Sequence, residues 1–166
     1  MRPVSGKTRK KEEKALSKIL RWALIPFVFL VDRIFKIWIV LRLKEGEGFP
    51  VWRGVFHVTR VNNTGAAFGL WHDSSLFLTT VTALSVLAIL FYLVCDERAG
   101  RNNKNFYAWS LVAGGALGNL YDRVLFGYVI DFLDFRAWPV FNVADASICV
   151  GVFFILLSVF YASDPL

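Results

Sequence analysis

Residues 74–95 read SSLFLTTVTALSVLAILFYLVC, a run without a single Asp, Glu, Lys or Arg. An α-helix needs about 20 mainly apolar residues to cross the hydrocarbon of a bilayer, and this run supplies them. Two further runs share the property: residues 105–121, NFYAWSLVAGGALGNLY, and residues 146–163, ASICVGVFFILLSVFYAS. A fourth apolar segment, Trp22 to Leu41, is interrupted only by Asp32, Arg33 and Lys36. The expected fold is therefore an all-α polytopic membrane protein. Its four transmembrane helices are placed at about 22–41, 76–94, 106–121 and 144–162.

Composition agrees. Hydrophobic residues make up 56% of the 166 and charged residues 19%, below the roughly 25% charged of a soluble domain. The mean hydropathy is +0.50. Six Trp and sixteen Phe suit helices packed in lipid and anchored at its interfaces.

The formal net charge of +6 is carried by one end of the chain. Arg2, Lys7, Arg9, Lys10, Lys11, Lys14, Lys18 and Arg21 stand against Glu12 and Glu13, so the rest is close to neutral. A basic tail directly before an apolar run reads as a cytoplasmic signal beside anionic lipid, not as a nucleic-acid surface. Residues 1–21 are assigned to this tail and residues 22–163 to a single membrane domain. A cleaved signal peptide is the alternative for the first segment. No A-x-A-like site follows it, however, and apolar character resumes through Ile34, Phe35, Ile37, Trp38, Ile39 and Val40.

Four crossings return the C-terminus to the side of the basic tail, the cytoplasm. The link from Asp96 to Lys104 joins it there, and residues 42–73 and 122–143 become outer loops. In the first outer loop, Val51 to Val61 alternates partially and is rich in β-branched and aromatic residues, which suggests one or two short strands. Pro50 fits just before the first strand. Asn62-Asn63-Thr64-Gly65 reads as a turn. Ala66 and Ala67 permit close approach, and Phe68, Leu70 and Trp71 are expected against the membrane surface. Gly114-x-x-x-Gly118 lets two helix backbones meet closely, most simply within the chain.

Ionisable residues at membrane depth are costly and are usually paired or functional. Asp32 and Lys36, four apart on one helix face, can neutralise each other; positioning a substrate or a loop is the other reading. Asp131 and Asp145 each lie beside an aromatic patch near the outer surface. Two carboxylates sharing a partly dry site cannot both ionise comfortably, so one keeps a proton and the pair offers an acid beside a base. Spacing alone admits Asp122 or Asp134 equally, and ion pairing with Arg123 and Arg136 competes. Cys95, Cys149, His57 and His72 have no metal-ligand spacing, and no serine, zinc or phosphate-loop signature is present.

Several blocks resemble the lipoprotein signal peptidase family, signal peptidase II. They are Asn63-Thr64-Gly65-Ala66-Ala67-Phe68, Gly114-Gly115-Ala116-x-Gly118-Asn119-x-x-Asp122-Arg123, Gly127-x-Val129-x-Asp131-Phe132, and Phe141-Asn142-x-Ala144-Asp145. Asp32-x-x-x-Lys36 resembles the family's block in the first span. The resemblance runs from about residue 22 to 160. It implies a membrane aspartic peptidase of the bacterial cytoplasmic membrane that removes signal peptides from prolipoproteins, cutting before a diacylglyceryl-modified cysteine. It places the catalytic carboxylates at Asp131 and Asp145, with Asn63, Asn119, Asp122, Arg123, Asn142, Asp32 and Lys36 as supporting or positioning residues. It further implies a small β-structured cradle from the first outer loop, an active site near the outer face, membrane lipid as surroundings, and no cofactor or metal. Two departures stand out: the Asp131 to Asp145 connection is shorter than in typical members, and Asn62 replaces an Arg. The rival reading is a small transporter or scaffold with Asp32, Lys36 and the glycine-rich span as a polar path.

Overall fold

A computed structural model describes residues 6–65, 75–100 and 104–162. Among them are four helices, α1 Gly6–Arg42, α2 Ser75–Arg98, α3 Phe106–Phe126 and α4 Val143–Ala162. Three strands complete the fold: β1 Gly48–Trp52, β2 Phe56–Asn63 and β3 Val129–Asp134. Ala66, Ala67, Phe68, Leu70 and Trp71, on which close approach and membrane contact were expected, lie outside the described residues. So do the last four residues.

The four expected spans are all helical; the second runs on to Arg98, and the first and third extend further as well. The first helix begins at Gly6, so the described part of the basic tail is continuous with the apolar segment. Pro26 sits inside it; without an N–H, it leaves the Trp22 carbonyl without its usual helical donor. The third helix continues past Tyr121 to Phe126 and stops at Gly127, which takes the left-handed conformation (φ 77°) and returns its N–H to the Arg123 carbonyl. Glycine meets that geometry without a Cβ clash.

Two helices are long and apolar enough to cross a membrane on composition alone, Leu76–Arg98 with mean hydropathy 2.3 and Val143–Tyr161 with 2.4. In α1 the charges Asp32, Arg33 and Lys36 interrupt the apolar run. In α3 the small residues from Ala113 to Gly118 lower the hydropathy, and Asp122 and Arg123 close the run. Large apolar side chains nevertheless face outward on every helix, including Phe27, Leu30, Ile34, Leu84, Phe91, Val124, Phe153 and Phe160. This is the surface expected of a chain whose solvent is lipid.

The third helix is the centre of the bundle, and its glycines explain why. A Cβ on Gly114 would lie 2.8 Å from both the Ile25 carbonyl oxygen and the Val28 Cβ of α1. One on Gly115 would overlap the Ala144 carbonyl of α4, and one on Gly118 would stand 2.7 Å from Asp32 Oδ2. The expected packing within the chain is therefore found, with Gly115 adding a contact to α4 beside those of Gly114 and Gly118.

The sheet differs from the expectation in its third strand. The order is β1-β2-β3 and both pairings are antiparallel. The third strand comes from the connection between α3 and α4, where no strand was expected, so the sheet is built by two connections and not by the first alone. VIDFLD does not alternate apolar with polar because both of its faces are covered: five of its six residues are buried. Ile130 and Phe132 pack with Ile39 of α1, and Asp131 faces the site. Pro50 lies inside β1, paired with His57, instead of before it. An edge strand tolerates this, since the missing N–H can face outward.

Candidate active site

Four elements converge at one end of the bundle: the end of β2, the neighbouring β3, the last turns of α3, and the first turn of α4. They bring Asp131, Asp145, Asn63, Asn119, Arg123 and Asn142 together. A cavity of about 1040 Å³ opens beside them, lined by Asn63, Asn119, Arg123, Asp131 and Asp145 together with apolar residues including Trp138, Val140 and Ile148.

Asn142 joins the two carboxylates. It precedes α4 as the N-cap, and its Oδ1 accepts from the Asp145 N–H at 2.9 Å while Asp145 Oδ2 accepts from the Asn142 N–H at 3.2 Å. This is a reciprocal capping box, which satisfies two helix-end donors at once. With its oxygen so engaged, the Asn142 Nδ2 faces the other way. It donates to Asp131 Oδ1 at 2.7 Å and to Asn119 Oδ1 at 3.1 Å. Asp131 Oδ2 accepts from Asn63 Nδ2 at 2.9 Å, and Asn63 is itself fixed by accepting from the Gly65 N–H at 2.9 Å. Asp145 Oδ1 accepts from Asn119 Nδ2 at 2.7 Å. Each carboxylate thus receives two N–H donors, all four from asparagine residues.

Asp131 is 2% exposed. Burial, and then the charge of Asp145, push its carboxyl up to about 7 against the opposing hydrogen bonds from Asn63 and Asn142 and the charge of Lys36. The charge of Asp145 thus acts on Asp131 across the Asn142 bridge. Asp134, on the same strand, belongs to different surroundings. Burial raises it, but the Arg136 N–H, the Thr59 hydroxyl and the Arg136 charge outweigh that and hold it below the ordinary carboxylate range. It takes no part in the asparagine network.

Asp32, Lys36 and Asp122 sit one layer behind, fully buried. Lys36 Nζ contacts Asp32 Oδ2 at 2.9 Å, Asp122 Oδ2 at 2.8 Å and, as donor, Asn119 Oδ1 at 3.1 Å. Arg33 completes the group, at 2.6 Å from Asp122 Oδ1 and 3.1 Å from Asp32 Oδ2. Two acids and two bases neutralise one another, so the network is wider than a pair. Its members also hold backbone: Asp32 Oδ1 accepts from the Ala144 N–H at 3.1 Å, and Asp122 Oδ2 from the Ile130 N–H at 3.2 Å. The charges thereby fix the starts of α4 and β3, the two elements that carry Asp145 and Asp131. Asp122 therefore pairs with Arg33 and Lys36, not with its neighbour Arg123. Arg123 reaches forward to the cavity and donates to the Gly65 carbonyl at 3.4 Å.

Arg33 is the residue that the sequence reading did not place in the site. The signal was present, because a third charge beside Asp32 in an apolar helix requires a counter-ion, and Asp122 supplies it.

A bundle with lipid-facing apolar surfaces and two coupled carboxylates on its cavity wall defines a multi-pass membrane protein of the peptidase class. Residues 24–161 match the family model of signal peptidase (SPase) II, and the chain belongs to that family. The lipoprotein signal peptidase of Halothermothrix orenii is 38% identical over 136 residues, covering 82% of this chain and 92% of that protein. The one from Moorella thermoacetica is 42% identical over 137 residues, with 77% and 88% covered. A bacterial membrane enzyme solved by the in meso method at 2.3 Å superposes with a TM-score of 0.80 at 31% identity, covering 87% of this chain and 90% of that one. The chain is an aspartic peptidase of the signal peptidase II type, acting on lipoprotein precursors.

Proposed function

We propose that Asp131 and Asp145 are the catalytic pair and that the bond cut lies immediately before a diacylglyceryl-modified cysteine. The observation that carries this reading is the Asn142 bridge. It joins the buried Asp131 and the half-buried Asp145 on the wall of one cavity, and among the described residues their direct partners are asparagines and not cations. Such a pair keeps one proton between them near neutrality. A water held between the carboxylates gives a proton to the ionised one as its oxygen attacks the scissile carbonyl. The protonated one donates to the developing oxyanion. The tetrahedral intermediate then collapses, the C–N bond breaks, and the proton passes to the leaving amine. Asn63, Asn119 and Asn142 orient the carboxylates. Arg123 lies where it can meet a substrate carbonyl, and Asp32, Arg33, Lys36 and Asp122 keep the supporting elements in register.

In this reading all four helices cross the membrane. The buried charges of α1 are tolerated because each faces an opposite charge inside the bundle, not lipid. The basic tail puts both termini in the cytoplasm, so the aspartates and the sheet lie near the outer face. The signal peptide enters from the bilayer along the cavity's apolar wall.

The test is single-turnover cleavage of lipid-modified precursor, normalised to folded enzyme. Asp131→Asn and Asp145→Asn should each abolish turnover, and the double change should cost little more than either. Asp122→Asn should lower folded yield while leaving some activity per folded molecule. A near-normal rate in either dyad variant beside a dead Asp122→Asn would move the chemistry to Asp122. Precursor without the diacylglyceryl group should be cut much more slowly; equal rates would remove the lipid from the recognition.

A further inference from the structure

A second cavity, of about 430 Å³, lies between α3 and α4 beside Tyr107, Leu111, Phe154 and Leu157, with Lys104 and Asn105 at its end. It is at the start of α3, about 20 Å along the helix from Asn119 at 1.5 Å per residue, and it shares no residue with the aspartate cavity. We infer that it holds one acyl chain of an anionic glycerophospholipid, with the headgroup phosphate at Lys104.

The walls select an acyl chain. Apart from Lys104, Asn105 and Ser158, the lining is aromatic or aliphatic, and Tyr107 and Phe154 are open to the lipid-facing side. Asn105 Nδ2 donates to Ser158 Oγ at 2.6 Å, so these two polar groups are satisfied by each other and tie the helices together. The volume falls within the range of about 300–1,000 Å³ typical of small-molecule pockets.

The end of the groove selects charge. Among the described residues that line the groove, Lys104 is the formally charged one. The third helix begins two residues later, so the positive end of its dipole adds to the ammonium. Arg21 stands 6.0 Å from the Tyr107 ring centroid, placing a second cation against one wall. Basic pockets between membrane helices are the usual seats of anionic headgroups. A zwitterionic lipid would bring its own cation to the same place.

Native mass spectrometry of the full chain in micelles tests this, with equal amounts of phosphatidylglycerol and phosphatidylcholine of matched chains. The parent should retain about one phosphatidylglycerol in preference to phosphatidylcholine. Lys104→Glu should lower phosphatidylglycerol retention roughly fivefold or more and leave phosphatidylcholine unchanged. Leu111→Trp, which fills the groove, should lower both. Precursor cleavage in the same micelles reports that the variants are folded. Should Lys104→Glu fold poorly, Lys104→Gln removes the charge but keeps a polar side chain and should show the same loss, smaller. Equal retention of the two lipids by the parent would overturn the assignment, as would a phosphatidylglycerol preference that survives loss of the Lys104 charge.

Discussion

Replacing Asp131 by Asn should make the folded protein more stable at pH 8 than its parent, even as the proposed mechanism expects it to lose activity. Burial and the neighbouring Asp145 raise the Asp131 carboxyl from 3.8 to about 7. Between those two values the folded state binds a proton that the unfolded chain has released, so stability falls as pH rises through the interval. Stability from this group is fully present below about pH 4 and is lost above about pH 7. At about 1.4 kcal/mol per pH unit, the parent should lose about 3 kcal/mol between pH 5 and pH 8 through this group. Asparagine does not titrate there. Its amide resembles the protonated acid, with one acceptor and one donor end, so any hydrogen bond lost to Asn63 or Asn142 is a constant offset of about 1 kcal/mol. The assay is denaturant or thermal unfolding of the purified protein in one detergent at both pH values. The gap between variant and parent should widen in the variant's favour by about 2–3 kcal/mol from pH 5 to pH 8. A gap that stays constant would mean that Asp131 ionises in the fold without penalty, and the shared-proton argument would fail with it.

Other consequences can be checked alongside. Exchanging Asp32 and Lys36 would preserve their mutual charge, but it removes the acceptor for Ala144 N–H and places an ammonium against Arg33. The exchanged protein should therefore fold no better than the single variants, each about 3–5 kcal/mol less stable than the parent; recovery of parental yield and activity would reduce the network to a lone pair. Gly115→Ala should separate α3 from α4 and lower cleavage and thermal stability together, whereas Ser147→Ala, whose hydroxyl donates to the Val143 carbonyl of its own helix, should be mild. Single cysteines at positions 8 and 47, in a background lacking Cys95 and Cys149, report orientation in intact cells. An impermeant thiol reagent should label 47 and spare 8, and the reverse pattern would invert the topology.

What the sequence showed and what it concealed have separate physical causes. Long charge-free runs report helices directly, because lipid leaves the backbone few alternatives; all four helices were legible from residues such as Leu76 to Val94. The third strand was not. Alternation is the usual signature of a half-buried strand, and Val129 to Asp134 is covered on both sides. The two carboxylates could be named as candidates from their aromatic surroundings, but choosing Asp131 and Asp145 over Asp122 and Asp134 needed the family's motifs. In space the four carboxylates differ in their partners. Asp122 is occupied by Arg33 and Lys36, and Asp134 by Thr59 and Arg136. Both sets of partners are remote in sequence or only partly local, so spacing could not reveal them. Asp32 and Lys36 were visible as an i, i+4 pair, but their attachments to Ala144, Asn119 and Asp122 lie far along the chain.

The chain between the two aspartates is closed at its base. Leu133 and Phe141 exchange both backbone hydrogen bonds, at 2.7 and 3.1 Å, and the Asn142 to Asp145 box locks the residues that follow. Residues 135–140 therefore form an excursion whose ends do not depend on its length. Trp138, Pro139 and Val140 in that excursion line the cavity. The shape of the cavity wall and the spacing of the carboxylates are in this way set by different parts of the chain. A loop of different length grafted between Asp134 and Phe141 would reshape the entrance for a new precursor while the carboxylates kept their spacing. The entrance can thus vary in length and outline while the hydrogen-bonded base beneath it stays fixed.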